Sequence, residues 1–126
     1  MKKLYIKETL NSPKVLLDPS KKRYEITGKS FPENSRTFYQ PVLDWIDEVP
    51  METEEKIQLS LDFEYVSSSS VISLKQILSK IKALCEKGAN IQVLWHYDMD
   101  DPDIKEIGQE YKKLIGIDIQ MVEKKA

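Results

Sequence analysis

Lys56-Ile57-Gln58-Leu59-Ser60-Leu61-Asp62-Phe63-Glu64-Tyr65 carries the clearest pattern in the chain. Ile57, Leu59, Leu61, Phe63 and Tyr65 alternate with Lys56, Gln58, Ser60, Asp62 and Glu64. That is the period of a strand with one buried face and one wet face. A central strand covered on both sides would be apolar at every position. The alternation therefore predicts a sheet that helices cover mainly on one side.

Downstream, Val71, Leu74, Leu78, Ile81 and Cys85 recur at helical spacing, with Ile77 and Leu84 beside them, and predict a helix over about 70–87. Gly88 stands where its C-terminal cap belongs. Residues 90–97 read as a strand with Ile91, Val93, Trp95 and Tyr97 on one face. Asp101-Pro102 supplies an N-cap and a first-turn proline for a helix running to about residue 115. Ile104, Ile107, Tyr111 and Leu114 are its expected inner face, Gly116 closes it, and residues 117–122 form a last strand before a charged tail.

Upstream, residues 3–7, 14–17 and 23–27 are short β-type runs separated by Asn11-Ser12-Pro13 and Asp18-Pro19-Ser20, the pattern of an antiparallel meander. A loop over 28–32 leads to a helix over about 33–48, with Phe38, Val42, Ile46 and Val49 inward. Pro41 should kink or divide that helix, and Pro50 helps end it. The second half reads strand-helix-strand-helix-strand, which makes parallel neighbours through right-handed crossovers. The expected fold class is α/β: one domain over 1–126, with a mixed sheet of about six strands and three helices mainly on one face.

The chain has 126 residues, 40% apolar and 32% charged, so it can bury a core and solvate its surface. A net charge of −2 argues against nucleic acid as the main partner. Lysines interleave with acids (Glu106, Glu110, Lys112, Lys113), as on a solvated helix face. Cys85 is the only cysteine, so no internal disulfide or thiolate metal site can form; its place on an apolar stripe suggests a buried, inert thiol. No apolar run follows the basic residues near the N-terminus, and none approaches a membrane span, so a cytoplasmic protein without membrane insertion is expected.

Ser67-Ser68-Ser69-Ser70 lies between the strand over 56–65 and the helix after it. In a parallel sheet that is the edge where the carboxyl ends of strands gather ligands and modifications. First-turn helix amides lack partners and carry partial positive charge, so a phosphate on one of these hydroxyls would be tolerated there. One serine, Ser69 or Ser70, would be needed as N-cap. On the residues alone, capping and loop chemistry explain the run better than a phosphorylation site does.

His96, the only histidine, ends the next strand on the same edge, so a serine–His96 hydrolase with Asp98 or Asp100 as orienter is a second reading. The G-x-S-x-G turn is absent, and no S-x-x-K reaches Lys75 from the serine run. The acidic run from Asp98 to Asp103 lacks the glycine and closing glutamate of an EF-hand loop, and its carboxylates fit a cap and a first turn. No metal and no cofactor are expected.

Three stretches give the chain a resemblance to the SiaC-type regulatory phosphoproteins of bacteria. Gly28-Lys29-Ser30-Phe31-Pro32-Glu33-Asn34-Ser35 is similar to their G-x-S-x-P-E-N-S loop, Tyr65-Val66-Ser67-Ser68-Ser69-Ser70 to Y-x-N-T-S-S, and Trp95-His96-Tyr97-Asp98 to W-H-Y-D. Order and spacing agree along nearly the whole chain. The resemblance implies a domain like the STAS fold of anti-sigma-factor antagonists. It also implies a non-enzymatic partner-switching role: phosphorylation by a cognate kinase, removal by a PP2C-type phosphatase, and a downstream target such as a diguanylate cyclase. The family's phosphothreonine falls on Ser68, where this chain has Ser67-Ser68 in place of Asn-Thr, so Ser67, Ser69 and Ser70 stand as alternative acceptors. Glu33, Asn34, Trp95, His96 and Tyr97 are expected to supply partner contacts at the same edge. A constitutive interaction scaffold, in which the serines only cap the helix, is the remaining alternative.

Overall fold

The computed structural model describes residues 2–50 and 55–124; the last two residues of the charged tail lie outside them. In chain order the elements are β1 (Leu4–Ile6), β2 (Lys14–Asp18), β3 (Arg23–Ser30), α1 (Ser35–Asp47), β4 (Ile57–Val66), α2 (Ser68–Glu86), β5 (Ile91–Asp98), α3 (Pro102–Ile115) and β6 (Ile119–Lys124). The strands form one sheet in sequence order, β1-β2-β3-β4-β5-β6. β1, β2 and β3 pair antiparallel, and β3 through β6 pair parallel. Three successive crossovers step in one direction across the sheet, and their right-handed connection puts all three helices on one face. Both the sheet and its one-sided cover are as the alternation in residues 56–65 predicts.

Val15, Leu17, Ile26, Leu61, Val93, Trp95 and Ile119 on the covered face meet Val42, Leu74, Ile77, Leu78 and Ile81 from the helices in one continuous core. α1 turns Tyr39, Val42, Trp45 and Ile46 inward; Phe38 is only partly buried. Pro41 does not divide the helix. It lies on the exposed side, where neither its ring nor its missing N–H disturbs the packed stripe.

Two inward positions differ from expectation. Leu114 is exposed, because Ile104, Gly108, Tyr111 and Ile115 form the buried stripe of α3. A glycine belongs to that stripe because the indole of Trp95 occupies the space a side chain would need: a Cβ on Gly108 would collide with Trp95 Cδ1. Tyr65 is also exposed. The β3–β4 ladder slips once, Gly28 facing Phe63 and Lys29 facing Tyr65, so Glu64 is an extra, unpaired residue. One inserted residue flips the alternation, which turns Tyr65 outward and buries Val66. The predicted loop at 28–32 is correspondingly shorter: β3 runs on to Ser30, with Gly28 taking a φ of 121° at the slip.

Gly108→Ala should cost roughly 1–3 kcal/mol, the usual penalty for overpacking a filled core. Urea denaturation followed by the fluorescence of Trp45 and Trp95 would register it as a lowered midpoint.

Candidate functional site

The serine run begins where two strands end. β4 extends to Val66, and the Ser67 amide donates to the Ser30 carbonyl at 2.8 Å, which continues the pairing by one residue. That bond holds Ser67 extended (φ −72°, ψ 163°), so Ser67 is the N-cap of α2 rather than Ser69 or Ser70. Its hydroxyl accepts from the Ser70 amide at 3.2 Å, and its carbonyl accepts the first helical bond, from Val71, at 2.9 Å. The helix therefore starts at Ser68, two residues earlier than the apolar spacing suggests.

The side chains of the run divide sharply. Ser70 is fully buried. Its hydroxyl accepts from Ser30 at 2.8 Å and from Ser67 at 3.0 Å, and lies 3.2 Å from that of Ser35. Ser35 is 2.9 Å from Ser69, and Ser69 is 3.3 Å from Ser67. Each hydroxyl has one proton to give. With Ser30 and Ser67 both donating to Ser70, the other donors follow: Ser70 to Ser35, Ser35 to Ser69, Ser69 to Ser67. The four hydroxyls close a ring, and Tyr39 feeds it by donating to Ser30 at 2.6 Å. Ser68 is exposed, and among the described residues its hydroxyl has no partner. Three of the four serines are thus committed to structure, and Ser68 alone presents a free nucleophile at the helix N-terminus.

The expected partner residues separate into three groups. Glu33 and Asn34 do reach the run: with Ser35, Arg36, Ser69 and Ile72 they line an open groove of about 460 Å³ between the first turns of α1 and α2. Asn34 is the N-cap of α1, accepting from Thr37 N at 3.0 Å, and both residues are exposed. Trp95 is fully buried and so has no surface to offer a partner. Its indole donates to the Ile104 carbonyl at 2.9 Å and meets Tyr111 edge-on at 5.6 Å. Tyr97 is also buried, with the Lys105 ammonium 5.5 Å from its ring centroid.

His96 alternates with Trp95 and Tyr97 and so occupies the uncovered face, where its cross-strand neighbours are Asp62 and Val122. α2 lies on the covered face. The sheet stands between them, and no hydrogen bond joins His96 to a serine among the described residues. Asp98 and Asp101 are used locally, accepting from Asp100 N at 3.3 Å and from Ile104 N at 3.1 Å. The geometry does not build the serine–histidine hydrolase.

The sequence reading missed Ser30, Ser35, Tyr39 and Tyr111. Ser30 and Ser35 are the two serines of the 28–35 motif, and their 40- and 35-residue separations from Ser70 hide the contact. Tyr111 donates from its hydroxyl to the Val71 carbonyl at 2.6 Å, pinning the first turn of α2 to α3. Trp95 therefore serves the site indirectly, by packing against the tyrosine that anchors it. Cys85 is partly buried on the far half of α2, its thiol 3.4 Å from the Ile91 carbonyl.

The one-sided α/β sheet thus presents one exposed serine, Ser68, in the first turn of a helix, with no hydrogen bond to a histidine or carboxylate among the described residues. Comparison with known proteins gives the family. Residues 6–124 match the family described as SiaC family regulatory phosphoprotein, and the chain belongs to that family. A Pseudomonas aeruginosa (strain UCBPP-PA14) protein named only as uncharacterized is 26% identical over 113 residues, 90% of each chain. The crystal structure of apo-SiaC from P. aeruginosa superposes with a TM-score of 0.84 at 24% identity, covering 97% of this chain and 99% of that one. SiaC in complex with the diguanylate cyclase SiaD, which it activates, gives a TM-score of 0.86 at 24% identity over 96% and 99%. These structures share the fold described above.

Burial holds the Tyr39 and Tyr111 phenols above the ordinary tyrosine value of 10.0; for Tyr39 the Ser30 hydrogen bond opposes the shift, and for Tyr111 the neighbouring Tyr39 adds to it. An unfolded chain ionises these phenols near pH 10, before the folded one does. Their contribution is thus fully present below pH 10 and is lost as pH rises toward the folded values. Alkaline titration at 295 nm should leave Tyr39 and Tyr111 un-ionised until the protein unfolds; Tyr39→Phe and Tyr111→Phe should each remove one tyrosine from that late step.

Proposed function

We propose that the chain is a non-enzymatic cytoplasmic signalling switch. A cognate protein kinase phosphorylates Ser68, and a PP2C-type phosphatase hydrolyses the ester. The state of Ser68 then decides whether the chain binds a downstream protein, for which a diguanylate cyclase is the leading candidate. The observation that carries this reading is the free, exposed hydroxyl of Ser68 beside three serines engaged with one another. Membership of a family of regulatory phosphoproteins supports it. The cyclase is suggested by the SiaC–SiaD complex.

The physics suits a switch. Phosphorylation replaces a neutral hydroxyl by a group of about −1.5 to −2 charge at pH 7. At Ser68 that charge meets the positive end of α2, a favourable place for an anion, beside the Ser70 amide that Ser67 already holds. On Ser70 it would have to enter the packed interior. The fold can therefore hold both states at Ser68 while the surface a partner meets changes completely.

A scaffold reading draws on the same hydrogen bonds, since they give Ser67, Ser69 and Ser70 structural work. It leaves Ser68 unexplained. Tagged protein isolated from its native cells and mapped by site-resolved mass spectrometry should carry phosphate on Ser68 and not on Ser67, Ser69 or Ser70. Ser68→Asp and Ser68→Ala should shift binding of the endogenous target in opposite directions. An unmodified run, with both variants binding like the wild type, would leave the scaffold as the better account.

A further inference from the structure

The bulge at Glu64 interrupts the ladder and leaves a residue unpaired, so its product is informative; bulges of this kind re-aim side chains beside functional sites. Here the re-aimed residue is Tyr65. Unbroken alternation from Ile57 through Phe63 would bury it, yet it is 53% exposed. Its ring meets Phe31 edge-on at 5.8 Å, and Phe31, just past the end of β3, is 41% exposed. Met99, just past the end of β5, is 57% exposed. Three neighbouring parallel strands thus each deliver a large apolar side chain to solvent at their carboxyl ends. With strands ~4.8 Å apart, the three span roughly 10 Å across the sheet. Ser68 opens the helix that leaves the middle strand.

The rim of this patch is acidic on its β4–β5 side. Glu33 follows Phe31 by two residues, Glu64 precedes Tyr65, and Asp98 and Asp100 flank Met99. Glu64, Asp98, Asp100 and Asp101 line a single crevice. Lys124 shares that crevice but is held by Asp62 at 2.6 Å. Lys29, the cross-strand partner of Tyr65, is an exposed cation on the β3 side of the patch. The crevice side therefore concentrates negative charge in a chain whose net charge is only −2.

Aromatic and methionine anchors at the centre with charge at the rim is the composition of a protein-docking surface. We propose that Phe31, Tyr65 and Met99 anchor such a surface, and that it takes a protein segment bearing an apolar strip flanked by lysine or arginine. The acidic rim selects that partner by charge complementarity. A second copy of this chain is disfavoured, since a two-fold contact through the patch would bring like-charged rims together. The inference touches the switch reading only in that Ser68 lies beside the same patch.

The photo-crosslinking residue p-benzoylphenylalanine, placed at Tyr65 or at Phe31 in the full chain and expressed in its native cells, tests this. Tyr5, 55% exposed on β1 at the far side of the sheet, is the control position. Discrete adducts are expected at 65 and 31 and not at 5, with Lys or Arg beside apolar residues in the crosslinked peptide. Glu64→Lys combined with Asp100→Lys should reduce the adduct by about five-fold or more, corresponding to about 1 kcal/mol of lost pairing, without changing the thermal melt. Equal labelling at 5, no adduct at 65, an acidic crosslinked peptide, or indifference to charge reversal would each overturn the proposal. Phosphate on Ser68 without an adduct at 65 would remove this surface and leave the switch standing. An adduct with an unmodified serine run would do the reverse.

Discussion

The hydrogen bond from Ser30 to Ser70, 2.8 Å long and wholly buried, is the joint on which the site depends. It ties the end of β3 to the first turn of α2, and the Ser67 amide on the Ser30 carbonyl ties the same two points through the backbone. Around it Ser67, Ser70, Ser35 and Ser69 donate to one another in a closed ring, and a closed ring lets each hydroxyl donate and accept at once. Polarisation around such a ring strengthens every bond in it. A buried polar cluster would be costly if any member were left unpaired. Here no buried side-chain polar atom lacks a partner among the described residues.

Excluding Ser68 from that ring separates two jobs that one run of identical residues would otherwise confuse. The ring fixes the direction of α2 and its distance from α1. Ser68, one residue past the cap, is left exposed and outside the ring. Tyr111 secures the same turn from the other side through the Val71 carbonyl. Under the proposed switch, charge added at Ser68 would therefore arrive without loosening the helix that presents it.

Much of the fold was legible in the sequence because one-sided burial writes itself as strict alternation, and residues 57–63 obey it. The element order, the one-sided cover and the caps at Asp101 and Gly116 follow from local rules. What local rules missed are contacts closed by the fold. The bulge at Glu64 is set by pairing with Gly28 and Lys29, so the outward turn of Tyr65 could not be read from its own strand. Leu114 looked inward because helical spacing does not register that Trp95 fills the volume over Gly108. The run itself drew attention as four equivalent serines. Their inequivalence comes from Ser30 and Ser35, more than thirty residues away. Trp95 and Tyr97, placed at the edge as contacts, lie in the core, because the alternation that puts Val93 inside carries them inward too.

The division of labour within the run is measured most directly by single alanine substitutions at Ser67, Ser68, Ser69 and Ser70, compared in urea denaturation. Ser70→Ala should cost about 1–3 kcal/mol, because it strips the ring of its most connected hydroxyl. Ser67→Ala should cost about 0.5–2 kcal/mol, the range for a lost N-cap. Ser68→Ala should stay within about 0.5 kcal/mol of the wild type, as an exposed side chain without contacts does. A Ser68→Ala variant as destabilised as Ser70→Ala would contradict the account, since Ser68 would then be part of the structure and not free to be a switch.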